Sequence, residues 1–344
     1  MSFQRYLIIG TLSIVGPIGV AINVLIIAAL IKSKLYRSRN YLIYTSLAVS
    51  DALNAGIGST FALTVFATGE FTFCKCLLVE TVLAYTTSVA IVAFLSYDRY
   101  LMLRRPLHYA RVMTRRVTLL ILVIIWCVSL LNAGLLVSRE AILPITDHIS
   151  VLNRRNCVMT RIVVREYLIS WVMILIIAPM SATIILNVCI LQIASAHYKQ
   201  INRTLNSVKR ENSNSTNSSS SSSSSRDWNI KAAYTTVRIV TTNVLCTVPF
   251  VCVALIETLC GYCISYKSMK PAYALFLLNF CSPIVNPLVY TITNQELKRH
   301  VKRTLMILCP TCLCRRIESR AMVKGRGTMA ARKSVTEIAT IHCD

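Results

Sequence analysis

Two sets of side chains in this sequence could do something other than pack. The first is Asp98-Arg99-Tyr100, an acid, a base and a phenol in direct succession at the end of an apolar run that begins near Leu77. The second is a series of polar residues in the middle of apolar runs: Asn23, Asp51, Ser88, Asn279, Ser282 and Asn286. Charge at membrane depth is costly, so an ionisable group there is read as functional by default. Arg99 could trade an internal partner for contact with another protein, or it could only mark the end of a membrane span, as many arginines do. Asp51 among amides and hydroxyls could hold water or a small hard cation such as sodium, for which oxygen ligands and one carboxylate suffice. Interhelical hydrogen bonding is the plainer role for the same residues. The apolar runs hold no histidine, no paired catalytic carboxylates and no serine–histidine set, so catalysis is a poor reading and the chain is expected not to be an enzyme.

The elements that position these residues are the apolar runs themselves. They cover Tyr6–Ile31, Tyr41–Ala67, Leu77–Tyr97, Val117–Val137, Tyr167–Ile193, Ile239–Cys260 and Ala272–Thr293. Each reaches the roughly 20 residues that a helix needs to cross a hydrocarbon core. In order, they are called spans one to seven. Hydrophobic residues make up 55% of the chain and charged residues 15%, yet the formal net charge is +23, so apolar and basic stretches must alternate. The mean hydropathy of +0.58 fits the same picture. No compact basic domain remains outside the spans, which sets nucleic acid aside as a partner and leaves the bilayer with its anionic surface. The fold class predicted is an all-α membrane protein, a seven-transmembrane helix bundle in residues 1–307 with a cytoplasmic tail in 308–344.

Loop charge orients the bundle. Lys32, Lys34, Arg37 and Arg39 lie between spans one and two; Arg99, Arg104, Arg105, Arg111, Arg115 and Arg116 lie between three and four; Lys298, Arg299, Lys302 and Arg303 follow span seven. These loops read as cytoplasmic and the N-terminus as extracellular. The loop between spans four and five is the exception, with Arg139, Arg154, Arg155, Arg161 and Arg165 on the outer side. Residues 212–225, ending in eight consecutive serines, read as a disordered cytoplasmic loop. The first run starts too early and runs too long for a cleaved signal peptide.

Prolines inside spans form a third set: Pro179, Pro249, Pro283 and Pro287. Each removes a backbone bond and can kink its helix. In Asn286-Pro287-Leu288-Val289-Tyr290 the asparagine is expected to bond the carbonyl that proline frees, with Tyr290 as a movable plug one turn on.

Taken together, these residues resemble the rhodopsin-like G-protein-coupled receptors over nearly the whole chain. The landmarks are Asn23 in span one, Leu47-Ala48-Val49-Ser50-Asp51 in span two, Asp98-Arg99-Tyr100 closing span three and Trp126 in span four. Pro179, Pro249 and Asn286-Pro287-x-x-Tyr290 continue them in spans five, six and seven. The resemblance implies a receptor that binds an extracellular ligand and activates heterotrimeric G proteins, with receptor kinases and arrestin as further partners. It implies Asp98, Arg99, Tyr100, Asn286, Pro287 and Tyr290 as the switch, and Asp51, Ser88, Asn23, Ser282 and Asn286 as a polar core able to hold sodium, with no other cofactor and no structural metal. It further implies a disulfide between Cys74 and Cys157, with Cys76 as a competitor. Residues matching the family's ligand pocket are Thr81, Tyr85, Trp171, Phe250, Phe276, Asn279 and Phe280, and core packing would give a similar set. A transporter or channel is the alternative class; it would show repeated halves with interrupted spans, and no internal repeat is present.

Several positions depart from the family pattern. Thr247 stands where a tryptophan usually precedes the span-six proline, and Asn243 stands where a phenylalanine is usual. Asn187 replaces a span-five tyrosine, and Asn229 replaces the acid that usually pairs the span-three arginine. These leave open how Arg99 is held, with a lock through Asp98 alone or high basal activity as the two expectations. Amine receptors carry an aspartate where this chain has Thr81; Glu80 is adjacent but points about 100° away. The few residues before span one argue against a large hormone-binding ectodomain.

After span seven, residues 294–305 read as an amphipathic helix capped by Asn294, with Leu297, Val301 and Leu305 as its apolar stripe. Cys309, Cys312 and Cys314 follow as palmitoylation candidates. Cys260 and Cys263 could form a small outer bridge or remain two thiols.

Overall fold

The computed structural model describes residues 3–137, 157, 162–211, 221–260, 275 and 277–308; for 3–5, 110, 197–199, 201–211 and 221–233 it describes the backbone only. Span one is Phe3–Lys32. Span two runs as Arg39–Leu53 and Ser59–Thr68, joined by a π turn at Asn54–Gly58. Span three is Phe71–Arg104 and span four Arg115–Val137. Span five begins as Arg165–Ser170, passes through a π segment at Trp171–Ile177 and continues as Ala178–Glu211. Span six is Ser221–Leu259, and span seven is described from Leu277 to Thr293. A loop helix, Pro106–Val112, follows span three, and Gln295–Leu308 follows span seven.

Spans one, three, four, five and six are each long and apolar enough, as single helices, to cross a membrane. The π turn divides span two into two shorter pieces that together cover the same distance. Spans three, five and six run well past their apolar runs, because hydropathy marks membrane depth while the backbone ladder continues into polar sequence. Span six therefore begins at Ser221, and Ser221–Ser225 are helical rather than disordered. Serine is only mildly unfavourable in a helix, and extending a formed helix is far easier than nucleating one. The rest of that tract lies outside the described residues.

Span three is the axis of the bundle: most of its apolar stretch is buried, whereas the other long spans keep an apolar face outward. Leu131, Ile185 and Leu245 are more than 60% exposed, the reverse of a water-soluble core and the expected pattern where lipid is the solvent. One core cluster gathers Leu78, Val82, Tyr85, Trp171 and Phe280 toward the Cys74 end. Another gathers Ile43, Leu47, Ile91, Leu95 and Tyr290 toward the Arg99 end. Span one packs closely on the span-two π turn because it is glycine there: a Cβ on Gly19 would stand 2.7 Å from that of Ala55, and one on Gly16 would collide with Ser59.

The terminal helix is capped by Asn294, whose Oδ1 accepts from the backbone N–H groups of Glu296 and Leu297, both at 3.1 Å. Leu297 is fully buried and Val301 packs beside it, with Thr304 completing the inward stripe. Leu305 instead points outward, 53% exposed, because 304 rather than 305 continues the inward face. Lys298, Arg299, Lys302 and Arg303 are exposed. Cys309, Cys312 and Cys314 lie outside the described residues.

Candidate functional site

At one end of the bundle, Asp98 and Arg99 are almost completely buried, 2% and 1% exposed. Arg99 Nε lies 3.7 Å from Asp98 Oδ2, an ion pair held by charge and too long for a hydrogen bond. Arg99 Nη1 reaches Met102 Sδ at 3.7 Å, and the Tyr44 hydroxyl of span two faces the same guanidinium. The other Asp98 oxygen, Oδ1, accepts from the Tyr109 hydroxyl at 2.9 Å. Burial, and then the neighbouring Asp98 carboxylate, raise the Tyr109 phenol well above its ordinary pKa, so it stays protonated and donates. Arg39 covers the outer side: its guanidinium sits 4.2 Å from the Tyr109 ring centroid and donates to the Met113 carbonyl that ends the loop helix. Tyr100 turns away and accepts from Arg104.

The groups around Arg99 and Asp98 therefore come from spans two and three and the loop helix. Asn187 does not reach Arg99; its Nδ2 donates to Ser96 Oγ at 2.9 Å and the Thr183 carbonyl at 2.8 Å, tying span five to span three one turn away. The side chain of Asn229 lies outside those described. Tyr109 was a participant that sequence reading missed, and so was Tyr44. The only signal for Tyr44 was a tyrosine seven residues before Asp51, two helical turns on the same face.

Tyr44 also links this end to the polar core. Its ring stacks on Tyr290, with centroids 5.1 Å apart and an interplanar angle of 24°. Above them Asn286 Nδ2 donates to Ser282 Oγ at 3.1 Å and to Asp51 Oδ2 at 3.3 Å. Asn286 thus does not bond the carbonyl that Pro287 frees. That carbonyl belongs to Pro283, and Asn23 of span one donates to it at 2.7 Å while also bonding Gly19 at 2.9 Å. The two prolines explain the exchange. Pro283 already breaks the ladder, the chain turns through Phe280 and Cys281 with i→i−3 bonds, and the free carbonyl tilts toward span one. Replacing Asn23 by leucine should leave that carbonyl buried and unpaired, at a cost of about 1–3 kcal/mol. A lowered thermal midpoint of the purified protein would show it, and an unchanged midpoint would mean that the bond contributes nothing.

Of the five residues assigned to the polar core, the structure joins Asp51, Ser282 and Asn286. Asn23 meets them through Pro283, and Ser88 pairs instead with Asn243 Nδ2 of span six at 3.4 Å. At the position where an aromatic ring is usual, Asn243 thus makes a part-buried polar link between spans three and six. Asp51 is 2% exposed, and Asn286 is its one hydrogen-bond donor among the described residues. Asn286 Oδ1 is buried and has no partner among the described residues.

Toward the other end, Tyr85 meets Trp171 edge-on with centroids 6.3 Å apart and Phe250 at 6.0 Å. Trp171 Nε1 donates to Thr86 Oγ1 at 3.0 Å, which fixes its indole where the π segment of span five begins. Thr81 lies one turn from Tyr85 on the same face, and Asn279 and Phe280 are buried on span seven. The Tyr85 hydroxyl is buried and has no hydrogen-bond partner among the described residues. Phe276 lies outside the described residues. The Cys74 sulfur is bonded to Cys157, Cα–Cα 5.5 Å, which pins the outer end of span three; Cys76 is free. Cys260 is disulfide-bonded rather than a free thiol, and Cys263 lies outside the described residues. Trp126 Nε1 donates to Ser46 Oγ at 3.0 Å, joining spans four and two.

The sequence pattern described as the 7 transmembrane receptor (rhodopsin family) matches residues 22–290 of this chain. The chain is 26% identical over 336 residues to Dopamine receptor 1 of Drosophila melanogaster, covering 91% of this chain and 65% of that protein. It is 24% identical over 339 residues to Octopamine receptor beta-1R of the same organism, covering 91% and 64%. Against the Alpha-1D adrenergic receptor of Mus musculus the identity is 26% over 352 residues, covering 91% and 58%. The chain thus spans less than two thirds of the length of these relatives.

Proposed function

This chain belongs to the rhodopsin family of seven-transmembrane receptors, and from that premise we propose that it binds a small extracellular ligand and activates heterotrimeric G proteins. The observation that carries this reading is the buried Arg99, held by Asp98 and faced by Tyr44, with Asp98 itself tied to the loop helix through Tyr109. An arginine locked by groups from three elements is poised to be released when those elements shift. A ligand can shift them only by contacting the two arrangements differently. Tyr85, Trp171 and Phe250, at the opposite end of span three, are the contacts proposed for it. The relatives are named for dopamine, octopamine and adrenergic ligands, but Thr81 occupies the place of the amine-pairing aspartate, so the interior pocket offers no carboxylate at that position.

The N-terminus is extracellular and the C-terminus cytoplasmic, on the loop charges, in the plasma membrane. Receptor kinases and arrestin would act on the serine-rich loop and the tail. Sodium is proposed as an ion held at Asp51 with Ser282: the carboxylate is buried with a single long amide bond, and hard oxygen ligands suit that ion. There it would compensate the Asp51 charge and hold spans two and seven together.

Arg99→Ala is expected to abolish G-protein activation in transfected cells while surface expression persists. Activation that survives the substitution would sink the proposed coupling role. Solute or ion flux that survives it would favour transport instead.

A further inference from the structure

A cavity of about 420 Å³ lies between spans two, three and four, away from the aromatic pocket. Leu53, Ile57, Phe61, Val79, Leu83 and Trp126 form its walls. Leu53, Ile57 and Val137 at its edge are 36%, 46% and 64% exposed, so it opens sideways toward lipid. Two of its polar lining residues are anomalous. Glu80 is 8% exposed and has no hydrogen-bond or ion-pair partner among the described residues. Thr87 is fully buried, and its hydroxyl also has no partner among the described residues.

The space around Glu80 is built for it. The span-two π turn sets Gly58 against the carboxylate, and a methyl at Gly58 would collide with Glu80 Oε2. Any residue larger than glycine would push the acid out of its place. A buried carboxylate with room kept for it and nothing to pair with lacks a counter-charge. Lys75 is the only cation lining the cavity among the described residues; it is exposed at the mouth, its ammonium 5.2 Å from the Phe71 ring centroid, and makes no ion pair with Glu80. Thr87 follows Glu80 by seven residues on the same face of span three, about 10 Å further along.

We propose that this groove binds a cationic amphiphile from the bilayer side, its ammonium against Glu80 and its apolar or aromatic body along Trp126 and Leu83 toward the Thr87 hydroxyl. Charge complementarity selects this occupant. An ammonium gives the acid a partner that favours its ionised form, an uncharged lipid gives it none, and an anion would be repelled. The site is separate from the interior face of Thr81 and Tyr85, so occupancy there and here need not exclude each other. It rests on the receptor reading only for its consequence, a biased equilibrium between arrangements of spans two and three, and not for binding itself.

The test uses the full-length protein in lipid nanodiscs with phenylbutylamine, phenylbutanol and phenylbutyric acid as probes. The thermal midpoint should rise with the amine and not with the alcohol or the acid. Glu80→Gln should raise the amine concentration needed for the same shift by about tenfold or more, as expected for losing a bond to a charged group. Ile57→Trp, which fills the mouth from the lipid side, should remove it. Cys76 lines the same groove and is free; its labelling by N-ethylmaleimide, followed by peptide mass mapping in the unmutated protein, should slow with the amine alone. That measurement decides the matter even where a variant fails to fold. Equal effects of amine and alcohol, or an amine effect that survives Glu80→Gln, would overturn the proposal. So would an effect lost in Trp171→Ala and kept in Ile57→Trp, which would put the ammonium in the interior pocket. None of these readouts depends on coupling, so Arg99→Ala in the G-protein assay tests the receptor reading separately.

Discussion

Asp98→Asn should raise ligand-independent G-protein activation about tenfold, with Tyr109→Phe giving a smaller rise in the same direction. Both follow from the way Arg99 is buried. In this structure its guanidinium has one anionic neighbour among the described residues, Asp98, 3.7 Å away, with Tyr44 and Met102 beside it. Removing one partner of a buried ion pair costs roughly 3–5 kcal/mol, because the other charge is left uncompensated. The pair here is not hydrogen-bonded, which puts the loss at the low end, and part of it is shared by the open arrangement. A net shift of about 1.4 kcal/mol toward the open arrangement is a factor of ten in its population. Tyr109→Phe keeps the Asp98 charge and removes only the 2.9 Å bond that aims it, so its effect is smaller. Second-messenger output normalised to surface receptor checks the order. If Tyr109→Phe equalled or exceeded Asp98→Asn, or neither rose above the unmutated receptor, the lock would have to lie elsewhere.

The landmarks of this arrangement were legible in the sequence, while its connections were not. Asp98-Arg99-Tyr100, Asp51, Asn286-Pro287 and the Asn294 cap are local signals, because charge at depth, a proline in a span and an asparagine before an amphipathic helix each speak for themselves. Tyr44 gave no such signal, since a tyrosine in an apolar span reads as packing until its neighbour is known to be Arg99. The free Pro283 carbonyl was assigned to Asn286, its neighbour in sequence, but Asn23 takes it from 260 residues away. The π turns at Asn54–Gly58 and Trp171–Ile177 leave hydropathy unchanged and so cannot be seen in it, yet they set the Gly58 cradle and the direction of Trp171. Helix ends were underestimated for a related reason. The bilayer dictates where a span is apolar, and the backbone decides where the helix stops.

Replacing sodium by N-methylglucamine should lower the thermal midpoint of the unliganded protein by a few degrees, and Asp51→Asn should abolish that difference. Asp51 is buried with one amide donor at 3.3 Å, a weak return for an isolated carboxylate in a low-dielectric interior. An ion that binds only the folded state adds RT ln(1 + [L]/Kd), about 1.4 kcal/mol at a tenfold excess over its dissociation constant. For a chain of this size that amounts to a few degrees at most. Asparagine in place of Asp51 still offers an acceptor to Asn286, so the bond between spans two and seven survives while the charge that attracts the ion is gone. Asn23→Leu provides the contrast: its loss lies in the span-one clip and should lower the midpoint equally in both salts. A sodium effect that persists in Asp51→Asn would place the ion elsewhere, and identical midpoints in the unmutated protein would sink the sodium site. The contrast also separates two roles that sit within one turn of each other on span seven. Pro283 offers a carbonyl that only holds helices together, whereas Ser282 and Asn286 surround a charge whose compensation can change.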